Sequence, residues 1–114
     1  MNKQRLKLLL KNYVATNRQR FFHKKSVVNY MTGKPEYKMI PTAGLYLVVK
    51  ETLDYKYSVV DSSYNIAFAM NIAKRFDDKE ESAQYYVVFV RALAHNNFNV
   101  YARVDFPKES KTFL

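Results

Sequence analysis

Twelve side chains in the first 38 residues carry most of the chemistry this sequence offers: Lys3, Arg5, Lys7, Lys11, Arg18, Arg20, Phe22, His23, Lys24, Lys25, Lys34 and Lys38. Ten of them are cations, and Glu36 is the one acid in the same stretch. Residues 39–114 hold nine basic and nine acidic side chains, so the whole formal charge of +9 sits in the first third. An asymmetry of this kind points to a polyanionic partner: nucleic acid, an acidic protein surface or an acidic lipid headgroup layer. Within Thr16–Lys25, TNRQRFFHKK, the cations alternate with Phe21 and Phe22. Cations meet phosphates and aromatic faces stack on unpaired bases, which places RNA ahead of DNA as the expected ligand. The competing reading is that at least one of the two phenylalanines is a core residue and the charges around it are solvated.

Other chemistries are thinner. Acid–base catalysis needs a histidine or a perturbed carboxylate, and only His23 and His95 are present, in no motif and far apart in sequence. A metal-independent ribonuclease, with the RNA 2′-hydroxyl as nucleophile and His23 among Arg18, Arg20, Lys24 and Lys25, is compatible with these residue types. None of the six serines stands in G-x-S-x-G or S-x-x-K. Gly33 and Gly44, the two glycines, belong to no phosphate-cradling loop. The absence of cysteine removes disulfides, thiol nucleophiles and thiolate-ligated zinc, and suits a reducing cytoplasm. Asp77, Asp78, Glu80 and Glu81 form one acidic cluster, DDKEES. Carboxylates so close in sequence make a solvated turn more readily than a magnesium site, and no further ligands converge on them. No cofactor is expected.

The elements that must position these residues follow from periodicity. Leu6, Leu9, Leu10, Tyr13 and Val14 form an apolar stripe, with Lys3, Lys7 and Lys11 on another face, so residues 3–15 read as a basic amphipathic helix. Its apolar run is too short for a secretory h-region, and no segment approaches a membrane span. Residues 26–40 read either as a β-hairpin turning at Thr32–Pro35 or as a continuation of the helix capped before Gly33, with Val27, Val28 and Tyr30 favouring the hairpin. Leu45–Lys50 and Tyr55–Val60 read as an antiparallel pair.

Ser62–Phe76 reads as the central helix, capped by Ser62 or Ser63, with Ile66, Ala69, Met70, Ala73 and Phe76 on its buried face. Residues 79–95 are ambiguous. The acids resemble a helix start near Lys79, whereas YYVVFV has strand composition, and the strand is favoured. Phe98–Phe106 alternates as a strand and Pro107 ends it.

The expectation is therefore one α+β domain. A small antiparallel sheet, ββ-α-ββ-like from residue 44 on, packs in two layers on one central helix, with the basic N-terminal helix attached. Residues 1–38 form a basic helical and hairpin arm, 39–106 the α+β body and 107–114 a tail. Hydrophobic residues at 48%, with ten Tyr and eight Phe, supply its core. The expected role is a non-enzymatic nucleic-acid-binding or ribonucleoprotein-associated accessory protein, with the twelve side chains above as its contact set. The alternative is an inhibitor or adaptor docking on an acidic protein surface, of the kind a bacteriophage makes against a host enzyme; the richness in Lys, Asn and Tyr matches the AT-rich codons of such genomes.

Overall fold

A computed structural model of the chain describes residues 1–93 and 99–107. The first helix, α1 (Lys3–Thr16), begins where the Asn2 side chain accepts a hydrogen bond from the Arg5 N–H, satisfying one of the orphan donors of the first turn. Its Leu6, Leu10 and Val14 are buried. A single turn, α2 (Arg18–Phe21), redirects the chain into β1 (Phe22–Val28), which pairs antiparallel with β2 (Pro35–Pro41) in a separate two-stranded ribbon. Then come β3 (Leu45–Thr52), β4 (Tyr57–Ser63), α3 (Ile66–Lys79), β5 (Ala83–Ala92) and β6 (Val100–Asp105). The four last strands form one antiparallel sheet in the order β4-β3-β5-β6.

The architecture is α+β as expected, but in three layers rather than two. Strands β3 and β5 are buried on both faces, which is why LYLVVK and YYVVFV read as near-continuous apolar runs. On one face Leu45, Leu47 and Val49 of β3 and Tyr86, Val88 and Val90 of β5 form a core with Leu6, Leu10 and Val14 of α1 and with Phe21 and Phe22. On the other, Val48, Tyr85 and Val87 meet Ala69 and Ala73 of α3. Helix α3 lies over β5, β3 and β4, not over the last strand. Strand pairing slips by one residue between Val48 and Val49, leaving Val60 of β4 as the extra residue of a bulge.

The central helix departs from its expected details. Asn65 caps it, accepting from the Phe68 N–H at 3.0 Å, because Ser62 and Ser63 are still paired in β4. Its buried seam is two alanines, with Met70 and Ile72 half-buried beside them; Ile66 and Phe76 remain 39% and 40% exposed. The sheet beneath presents Tyr46, Val48, Tyr85 and Val87, and small residues on the helix let the backbones approach over these large ones. Phe76 stacks on Tyr85 at the margin, with centroids 5.2 Å apart.

The acids do not open a second helix. Asp77 and Asp78 lie in the last turn of α3, where the dipole disfavours them. Tertiary bonds offset that cost: Asp77 accepts from the Tyr85 N–H at 3.2 Å, and Glu80 takes the Lys50 ammonium at 2.9 Å and the Tyr85 hydroxyl. These contacts tie the helix end to β3 and β5. The Tyr85 hydroxyl, and secondarily Lys50, hold the Glu80 carboxyl below the usual carboxylate range.

Three substitutions test this packing. Ala73→Leu overfills the seam and costs about 1–3 kcal/mol, and Leu10→Ala costs about 2–5 kcal/mol. Ile66→Ala, which the periodicity alone would place in the core, costs less than about 1 kcal/mol. Urea midpoints at constant m-value measure all three. Separately, burial and then the nearby Glu51 carboxylate push the Tyr86 phenol far above the usual range, and burial also raises Tyr57 and Tyr85. In each case the neutral phenol is favoured by the fold. Stability is therefore intact below the unfolded tyrosine value, about pH 10, and falls as pH rises beyond it. Tyr86→Phe should flatten that alkaline limb in thermal melts without abolishing it.

Candidate nucleic-acid interface

Folding divides the twelve candidate residues into three groups. The arginines are used by the protein itself. Arg5 donates to the backbone carbonyls of Asp54 and Tyr55 at 3.3 and 3.2 Å, fastening the β3–β4 turn to α1. Arg20 donates to the Tyr13 hydroxyl at 2.9 Å and lies over the Tyr64 ring. Arg18 covers the Phe22 ring at 4.9 Å. Phe22 itself is only 3% exposed and Phe21 is fully buried, packed edge-on against Tyr13. Neither can present a face to a base, so the aromatic interleaving that favoured RNA is a core anchor with a guanidinium lid.

The second group, Lys3, Lys7 and Lys11, lies along α1. Lys3 and Lys7 border a groove in which Leu6 and Leu10 face Val100, Ala102 and Val104 of β6. Lys3 stands about 20 Å along the helix axis from Thr16, where the chain turns toward the ribbon, so the twelve residues are not gathered into one patch.

The third group is the ribbon. His23, Lys24, Lys25, Lys34 and Lys38 are exposed on β1, β2 and their turn. The ribbon is rooted by the buried Phe22 and by Thr42, whose N–H and hydroxyl donate to the carbonyls of Phe21 and Arg20. Gly44 completes the root. At φ +120° it runs so close to Phe89 that a β-carbon there would meet the ring at 2.5 Å. Beyond this base the two seven-residue strands, about 23 Å long at 3.3 Å per residue, project from the body. The molecule measures 60 × 26 × 21 Å with a radius of gyration of 17.1 Å, against about 13 Å for a compact chain of this length.

Cross-strand register decides what the ribbon displays. Residues directly opposite share a face. Lys24 pairs with Met39 and Ser26 with Tyr37 on one face, and there the Lys24 ammonium lies 5.3 Å from the Tyr37 ring centroid. On the other face His23 stands opposite Ile40, and Lys25 directly opposite Lys38. Like charges in that position destabilise a strand pair. Glu36, on the same face two residues from Lys38, accepts from the Asn29 amide at 2.6 Å and, among the described residues, makes no ion pair with either lysine. Among the described residues, Lys25, Lys34 and Lys38 make no ion pair.

The turn was expected at Thr32–Pro35 and spans Asn29–Lys34. Asn29 organises it: its N–H donates to the Lys34 carbonyl, its carbonyl accepts from the Gly33 N–H, and its side-chain oxygen accepts from the Met31 N–H. Gly33 takes the left-handed φ of +67° that closes the loop. The consequence is an apolar tip, with Tyr30 97% and Met31 96% exposed. Neither was among the sequence candidates. The signal was present, since turns ordinarily carry Gly, Pro, Asn, Asp and Ser, and Tyr-Met between Asn29 and Gly33 departs from that rule.

His95, the second candidate histidine, lies outside the described residues. Among the described residues no group of three or more His, Asp or Glu side chains is arranged to hold a metal, and no helix is long and apolar enough to cross a membrane. Comparison with protein-family models, with curated proteins and with solved structures finds no match to this chain.

The Lys25–Lys38 repulsion is measurable without any ligand. Lys38→Gln should raise the local opening free energy of the hairpin by about 0.2–1 kcal/mol, read as slower amide exchange across β1 and β2. The difference should shrink as added salt screens the wild-type pair.

Proposed function

We propose that the protein is a non-enzymatic nucleic-acid-binding accessory protein whose contact element is the β1–β2 ribbon. The single observation that carries this is the Lys25–Lys38 pair: two exposed lysines that strand register sets directly opposite one another on a projecting element, neither of them in an ion pair among the described residues. Such an arrangement costs stability in the free protein and is relieved when phosphates take the place of a counter-charge. Lysine ammonium groups act as point charges towards phosphate. The arginines, better suited to bidentate recognition, are occupied within the fold. The α1 lysines add to the field that steers a polyanion towards the molecule.

The same charge would also suit an acidic protein surface, the inhibitor or adaptor reading. The two separate cleanly in a pull-down: a partner lost on nuclease treatment supports nucleic acid, and a partner retained supports a protein.

The quantitative test is a salt titration. If Lys24, Lys25, Lys34 and Lys38 each neutralise one duplex phosphate, log K falls with log salt at a slope of about −3.6. Lys25→Gln with Lys38→Gln should weaken binding across all sequences and reduce the magnitude of that slope by about 2. Absence of binding at low salt would remove the reading, and an unchanged slope in the double variant would remove the ribbon from it.

A further inference from the structure

Resting on the nucleic-acid reading, we infer that the ribbon enters the minor groove of duplex DNA and that its tip, Tyr30 and Met31, wedges between base steps and bends the duplex. Three features of the ribbon carry this. First, two large apolar side chains are almost wholly exposed at the end of an arm about 23 Å long. They are held there by the Asn29 and Gly33 turn rather than by packing against the body. An apolar pair is costly to leave in water and contributes nothing to phosphate contact, whereas apolar wedges that unstack a base step are a recurrent device of minor-groove proteins.

Second, the charge lies behind the tip along both strands, at Lys24, Lys25 and Lys38. That is where the phosphates flanking a groove would run if the tip were inserted.

Third, the ribbon is poorly equipped to read bases. It has no arginine, and its amide is committed: Asn29 donates to Glu36 and accepts from Met31. Forked, two-point recognition of a base edge is best made by Arg, Asn or Gln, and the ribbon's lysines offer single point charges instead. What remains is backbone contact plus deformation, which is sequence-tolerant binding paid for by bending.

Duplex RNA fits less well. Its A-form minor groove is wide and shallow and its major groove too narrow for side chains to read. The aromatic residues that pointed to single-stranded RNA, Phe21 and Phe22, are in the core. Tyr37, 69% exposed with the Lys24 ammonium 5.3 Å from its ring centroid, is the one tyrosine or phenylalanine in the two strands beyond Phe22, so no continuous stacking platform runs along the ribbon.

The experiment uses the full chain with short duplex DNA labelled at both ends with a fluorescence-transfer pair, with a duplex RNA of the same sequence, and with the single strands of each. Binding is followed by anisotropy at low salt. At saturation the wild type should raise end-to-end energy transfer, as a kink of about 20–90° requires. The Tyr30→Ala, Met31→Ala double variant alters only exposed side chains and so should fold. It should bind less tightly, by up to about tenfold, and lose the transfer increase at its own saturation. The RNA duplex should bind at least about tenfold more weakly than the DNA. Binding without bending, bending retained in the double variant, or RNA bound as tightly as DNA each overturns the wedge while leaving the nucleic-acid reading standing. Failure to bind either duplex or a single strand overturns the nucleic-acid reading, and the wedge with it.

Discussion

Everything distinctive about this protein depends on where Phe21 and Phe22 are buried. These two rings close the core shared by α1 and the sheet, against Leu45, Leu47, Val88 and Val90. In doing so they fix the point from which the ribbon departs. An isolated two-stranded hairpin is marginal in water, and this one has little apolar cover beyond its first residues. Its stability is borrowed from that root: Phe22 in the core, Thr42 bonded back to the α2 carbonyls, and Gly44 pressed against Phe89. The arm can be polar, basic and extended because it does not have to hold itself together unaided.

The same burial explains the division between arginine and lysine. Guanidinium groups are planar, with donors in a fixed fork, and serve well as structural staples over rings and carbonyls. Arg5, Arg18 and Arg20 all do so, at the joints between α1, α2 and the rest of the molecule. The lysines of this third of the chain are left along α1 and on the ribbon, without an ion pair among the described residues. A charge count treats the two residue types alike; the tertiary structure does not.

Several elements were readable from local rules alone. The α1 stripe, the strand pair β3–β4 and the strand character of YYVVFV depend on side-chain period and composition, and each was recovered to within a few residues. The hairpin over residues 26–40 was also favoured, because Val27, Val28 and Tyr30 have strand composition, and Gly33 takes the left-handed φ of its turn. Where local rules failed, a long-range partner had intervened. The acids at 77–81 look like a helix start in isolation, yet Lys50 and the Tyr85 backbone and hydroxyl hold them at a helix end. The α3 stripe was read as Ile66 to Phe76, but the bulk of the sheet beneath turned the alanines inward and left those two large residues at its edge.

Residue types and short-range periods are enough to make the chain basic in its first third, α+β in class, and interleaved there in cations and aromatic residues. Those properties are sums over residues or short periods, and no distant contact alters them. Which aromatic residues are visible depends on long-range packing. Phe21 and Phe22, adjacent to the charges, are hidden; Tyr30 and Met31, in a turn, are displayed. The tertiary structure also decides which cations face one another, since Lys25 and Lys38 are thirteen residues apart and become neighbours only through strand register. Burial and register are set by what packs on the other side of the chain, and that information is distributed over the whole molecule.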